Sequence, residues 1–129
     1  MSLRNLLGKV FGPDSVKNGV SHWLLQRLSA VALVPLTFWF LKWIFKLSSF
    51  DYDNVRLEIN AGFNYVWLVF LLMTLAYHSA LGVQVVIEDY LHTKAVKKLS
   101  LFICSFVHVI VAVAGICAVI NIVLTSEPL

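Results

Sequence analysis

Charge is what this sequence has least of. Only 13% of its 129 residues are Asp, Glu, Lys or Arg, and most of these stand between or at the edges of long uncharged stretches. Cysteine is limited to Cys104 and Cys117, both in one apolar run. A helix rising about 1.5 Å per residue sets them roughly 20 Å apart, beyond the reach of a disulfide. The chain holds no CxxC pair, no glycine-rich phosphate loop and no nucleophile–base motif. Nor is there a basic stripe interleaved with aromatics, so the net charge of +3 does not describe a nucleic-acid groove. The stretch from Met1 to Ser21 lacks the apolar core and small-residue cleavage site of a secretory signal. A mitochondrial transit peptide stays open, because Met1 to Lys9 is basic and free of acids.

What is abundant is apolar surface. Hydrophobic residues make up 60% of the chain and the mean hydropathy is +0.84, against about 45–50% apolar usage in soluble domains. A chain of single-domain length has too small a core to hide so much of it, so lipid is the expected solvent. Three runs, at about residues 23–47, 64–88 and 99–124, each exceed the roughly 20 residues that cross a 30 Å hydrocarbon core. Pro35 falls inside the first, where a membrane helix tolerates it. The fold class expected is therefore all-α integral membrane: three transmembrane helices in a single domain spanning 1–129.

The segments between the runs, from Ser48 to Gly62 and from Glu88 to Lys98, are polar and too short to form domains. Lysines and arginines set the orientation. Arg4, Lys9 and Lys17 precede the first run, and Lys94, Lys97 and Lys98 precede the third, on the same side; the other side has Lys42, Lys46 and Arg56. The positive-inside rule places the amino terminus in the cytoplasm, or in the matrix of a mitochondrion.

Ionisable groups inside a bilayer are costly, so each one present needs a reason. His78 lies eleven residues before Asp89, which puts it roughly 16 Å into the membrane. At about 100° per residue it shares one stripe with Gly82, Val85 and Asp89. A neutral imidazole there can ligate haem iron, relay protons or bond a neighbouring helix. His108, at a matching depth on the third run, makes a second arrangement open: both histidines on one haem. The basic-side membrane boundary gathers Ser21, His22, Gln26, Arg27 and Ser29 from the first run with Glu88, Asp89 and Tyr90 from the second. These groups are expected to meet in one pocket. Arg27, about one turn inside the edge, calls for an anion such as Asp89 or a cofactor propionate. Tyr90 can donate its phenol proton to a carbonyl oxygen of a lipid-soluble ligand. Ala114, Gly115 and Ala118 suggest close helix packing.

The segment His78-Ser-Ala-Leu-Gly82-Val-Gln-Val-Val-Ile-Glu88-Asp89-Tyr90, with Asn18-Gly19-Val20-Ser21-His22-Trp23-Leu24-Leu25-Gln26-Arg27-Leu28-Ser29-Ala30 upstream, resembles the hydrophobic membrane anchor subunits of succinate dehydrogenase. The resemblance implies half of a heterodimeric haem-binding helical bundle. Its partners would be a flavoprotein subunit, an iron–sulfur subunit and a second cytochrome b anchor subunit, in a bacterial inner membrane or a mitochondrial inner membrane. The cofactors it implies are haem b, with His78 as one axial ligand of the iron, and ubiquinone as substrate. Tyr90 would bond the quinone, with Asp89 supporting its pocket. Arg27 and His22 would lie near the haem propionates and the quinone mouth. Two other readings are carried beside it: a self-contained cytochrome using His78 and His108, and a structural or assembly protein whose intramembrane polar groups only bond other helices.

Overall fold

A computed structural model describes residues 14–125. Arg4 and Lys9, which entered the orientation argument, lie outside them, as does the stretch from Met1 to Lys9. Among the described residues there are four helices and no strands: α1 (Asp14–Lys46), α2 (Tyr52–Asn60), α3 (Asn64–Tyr90) and α4 (Lys94–Leu124). Three segments are long and apolar enough to cross a membrane: Val20–Lys46, Asn64–Tyr90 and Lys94–Leu124. The helix of α1 continues through Pro35 without a break.

These helices are apolar nearly all round, because their solvent is lipid rather than water. Phe38 is 71% exposed and Phe45 84%, whereas the buried apolar side chains are few: Leu36, Trp43, Ile59, Leu81 and Val119. Among the described side chains of α1 the buried ones are Ser29, Leu36 and Trp43, seven residues apart. That spacing returns a helix to nearly the same face every two turns, and it marks the seam with α3.

The layout is a layer with α3 in the middle. It packs against α1 on one side and α4 on the other, while no Cα of α1 comes within 8 Å of a Cα of α4 among the described residues. Both seams are antiparallel. Across the first, Trp39 meets Trp67 with ring centroids 6.1 Å apart, Ser29 meets His78, and Gly82 faces Gln26. Across the second, Ser79 meets His108 and Gly115 faces Leu72.

The two polar segments differ from expectation. Lys94, Lys97 and Lys98 belong to α4, so the connection after α3 is only Leu91–Thr93. Before α3, the chain folds a helix that hydropathy alone does not reveal. Asp51 caps α2 by accepting a hydrogen bond from the Asn54 amide at 3.1 Å. Gly62, at φ 60, makes the left-handed turn into α3. This short helix joins spans that do not touch each other: Lys46 at the end of α1 lies 3.6 Å from Glu58, and Arg56 donates to the Thr125 carbonyl after α4.

Gly115 is where the second seam is tightest. A Cβ built there would stand 3.2 Å from Cδ1 of Leu72. Gly115→Leu should therefore overpack the seam and cost about 1–3 kcal/mol. Denaturation of the purified chain in detergent checks this, with Leu72→Ala in the same chain expected to restore part of the loss.

Candidate functional site

Each seam contains polar contacts at mid-depth, and neighbouring residues of α3, His78 and Ser79, make them. His78 points to α1, where its Nδ1 is 2.9 Å from Ser29 Oγ and its Nε2 is 3.5 Å from Gln26 Nε2. Ser29 is 7% exposed, and its hydroxyl also donates to the Gln26 carbonyl at 3.0 Å. Ser79, about 100° further round the helix, points to α4 instead. Its hydroxyl is 3.1 Å from His108 Nε2, and His108 Nδ1 donates to the Cys104 carbonyl at 2.8 Å.

The two histidines thus share a depth but not a site. Both ring nitrogens of His108 are engaged within the α3–α4 seam. The cavity of about 400 Å³ that His78 lines, with Ala30, Leu33, Val34, Thr37, Phe38 and Leu41, does not include His108. The grooves of about 570 and 250 Å³ that His108 lines do not include His78. A single haem gripped by both histidines of this chain does not fit that geometry. His108 does what an intramembrane polar residue most commonly does, which is to bond a neighbouring helix.

The expected pocket of boundary residues also divides. His22, Gln26 and Ser29 lie on one face of α1, but Gln26 and Ser29 reach His78 rather than the end of α3. The antiparallel register explains this. With Ser29 opposite His78 and Gln26 opposite Gly82, Arg27 stands at the level of Ala80. That is about 15 Å along the helix axis from Tyr90 and only about 3 Å from the level of His78. Arg27 and Asp89 therefore do not pair. The Arg27 guanidinium turns back toward the amino-terminal end of α1 and lies over the Trp23 ring, 5.4 Å from its centroid. Among the described residues it has no carboxylate partner.

Asp89 and Tyr90 close α3 and are exposed, Tyr90 by 78%. Glu88 accepts a hydrogen bond from Gln84 at 2.8 Å, and its backbone carbonyl accepts one from Lys97, also at 2.8 Å. Gly82 lies against the Gln26 amide, which would stand at an ordinary contact distance of 3.5 Å from a Cβ at that position. His22 is half-buried, and its Nε2 is buried without a hydrogen-bond partner, as is Gln26 Oε1. Sequence reasoning left Ser29 and Gln26 as boundary polar groups and so missed them as partners of His78. Their spacing of three on α1 was the available signal, but using it required the register of the seam.

His78 thus opens into an apolar groove running along α1 through Ala30, Val34, Thr37 and Leu41. Arg27, one residue round and one turn beyond on α1, stands at the end of the same stripe. Chemically, this arrangement presents an imidazole nitrogen at mid-depth and a cation beside the groove's end. A phenol and a carboxylate stand at the membrane boundary beyond.

A family model described as succinate dehydrogenase/fumarate reductase transmembrane subunit matches residues 5–114. The chain is 34% identical over 106 residues to the succinate dehydrogenase hydrophobic membrane anchor subunit of Rickettsia typhi, covering 82% of this chain and 85% of that one. It is 33% identical over 111 residues to the protein of the same description from Rickettsia bellii, covering 86% and 89%. The succinate dehydrogenase membrane anchor subunit of Reclinomonas americana is 30% identical over 90 residues, or 67% of this chain and 75% of that one. With its three apolar spans and these relatives, the chain belongs to the succinate dehydrogenase/fumarate reductase transmembrane subunit family.

Proposed function

We propose that this chain is one half of the membrane anchor of succinate–ubiquinone oxidoreductase. It binds haem b together with a second cytochrome b anchor subunit, and it helps form the ubiquinone site at its basic side. Electrons from succinate reach that side through the flavoprotein and iron–sulfur subunits, and the membrane is the bacterial inner membrane, with the mitochondrial inner membrane as the alternative. The chain carries no complete active site of its own. The observation that carries this reading is His78, a mid-depth imidazole opening into an apolar groove that needs a second protein to close it.

The residues present fit a haem. His78 offers Nε2, whose nearest partner is an amide nitrogen at the long distance of 3.5 Å. Arg27 is a permanent cation inside an apolar span with no carboxylate partner among the described residues, and a propionate would supply one. His22 Nε2, buried and unpartnered, is a second donor or acceptor near that end. When bound, the haem supplies a one-electron carrier whose potential depends on its axial ligands and their hydrogen bonds.

At the membrane boundary Tyr90 acts by its phenol. The O–H donates to a quinone carbonyl oxygen, and that bond strengthens as negative charge develops on the oxygen during reduction. Asp89, the preceding residue, holds a carboxylate near the same boundary and serves proton supply. Both are exposed in the isolated chain, as groups completed by another subunit are.

Three substitutions in the purified complex test these roles. His78→Ala should abolish the six-coordinate b-type reduced-minus-oxidised spectrum; its persistence would remove His78 as a ligand. His108→Ala should retain that spectrum, because the ring serves the other seam. Tyr90→Phe should lower succinate–quinone reductase activity several-fold, in line with a hydrogen bond of about 0.5–1.5 kcal/mol. Its succinate-dependent dye reduction at the soluble subunits should be unchanged.

A further inference from the structure

We infer that Ser29 is a positioning residue for His78: it holds the imidazole proton on Nδ1 and thereby makes Nε2 the nitrogen offered to iron. The inference rests on the haem reading above but concerns atoms of this chain alone. The argument is one of donor polarity. A carbonyl oxygen only accepts, so the 3.0 Å contact between Ser29 Oγ and the Gln26 carbonyl commits the single hydroxyl proton of Ser29. The same Oγ is 2.9 Å from His78 Nδ1 and can now only accept there. Nδ1 must therefore carry a hydrogen, and in a neutral ring Nε2 then carries the lone pair.

The placement of Gln26 agrees with this from the other side of the ring. Its amide nitrogen, 3.5 Å from Nε2, only donates and so faces a lone pair. With the proton on Nδ1, turning that amide over would set its oxygen against the Nε2 lone pair. In the haem-free chain the donors form a one-way circuit, from the Gln26 amide to His78 and from His78 through Ser29 to the Gln26 carbonyl; iron would take the place of the Gln26 amide at Nε2. A free imidazole side chain in water prefers its proton on Nε2, so this neighbourhood selects the less common tautomer. Ser29 is the right residue for the task because it is buried in the seam and fixed by its own bond along α1.

The consequence for a bound haem follows from how second-shell bonds act on metal-ligating histidines. A hydrogen bond donated from Nδ1–H fixes the ring plane and makes Nε2 more electron-rich. A more electron-rich ligand favours the ferric state, so losing the acceptor moves the midpoint potential upward.

Two measurements test this. In the haem-free full chain, labelled with 15N-histidine and reconstituted in bilayers, His78 is expected to show a protonated Nδ1 and an unprotonated Nε2. Ser29→Ala should lose that preference and Ser29→Thr should keep it. In the assembled complex, redox titration of the haem band with low-spin EPR should show an upward shift and altered g values for Ser29→Ala. Ser29→Thr should resemble the parent.

A proton on Nε2 in the parent chain would overturn the inference. So would an unchanged potential and EPR signal in Ser29→Ala, or loss of haem from both variants, which would assign position 29 to packing rather than to its hydroxyl. Loss of haem from Ser29→Ala alone would support it. A parent complex lacking haem would defeat the haem reading while leaving the tautomer to be decided by the NMR measurement.

Discussion

The structure depends on one helix being able to face two ways at the same depth. α3 alone touches both other spans, and in lipid there is no hydrophobic force to press helices together. What is left is close packing and a polar contact in each seam. His78 and Ser79, adjacent in sequence, supply these contacts on faces about 100° apart. Each also answers the cost of a polar group in hydrocarbon by finding a partner on the neighbouring helix. Exchanging the two residues would set each polar group against the wrong neighbouring helix.

A layer built this way is open. With α1 and α4 out of reach of each other inside the membrane, the chain cannot enclose a cofactor between them. Its apolar grooves lie on the surface and its exposed side chains are large. The short helix α2 is the compensating device: it ties the end of α1 through Lys46 and Glu58, and the end of α4 through Arg56. It does so on the side away from Tyr90. Three aromatic rings near the α2 side, Trp39, Trp43 and Trp67, support α1 against α3 there, at the interfacial level where such rings are favoured.

The spans were legible in the sequence because charge is nearly absent from them, and hydropathy needs no tertiary information. The ends were less so. Lys94, Lys97 and Lys98 read as linker because they are charged, yet they are the first turns of α4, where lysine is a good helix former and its head stays in the aqueous boundary. α2 was hidden for a related reason: its signal is the cap at Asp51 and one buried residue, Ile59, within a polar segment. His78 could be picked out as the costly residue, and its depth could be matched to that of His108. The side of α3 each one serves could not, since that depends on how α1 and α4 are placed about it.

Arg27 shows most clearly why register matters. Read along the chain, it sits about a turn inside the membrane edge and within reach of Asp89. Read across the seam, it is level with Ala80, and the acidic end of α3 is far out of reach. Snorkelling over Trp23 relieves part of the desolvation but supplies no counter-charge. A cation at that depth is costly without an anion, and no carboxylate among the described residues comes to it. On the proposed reading, a carboxylate of a group bound in the groove beside it would supply the compensating charge. If the proposed function holds, the site around His78 is half of one, with the missing half defined by charge as well as by shape.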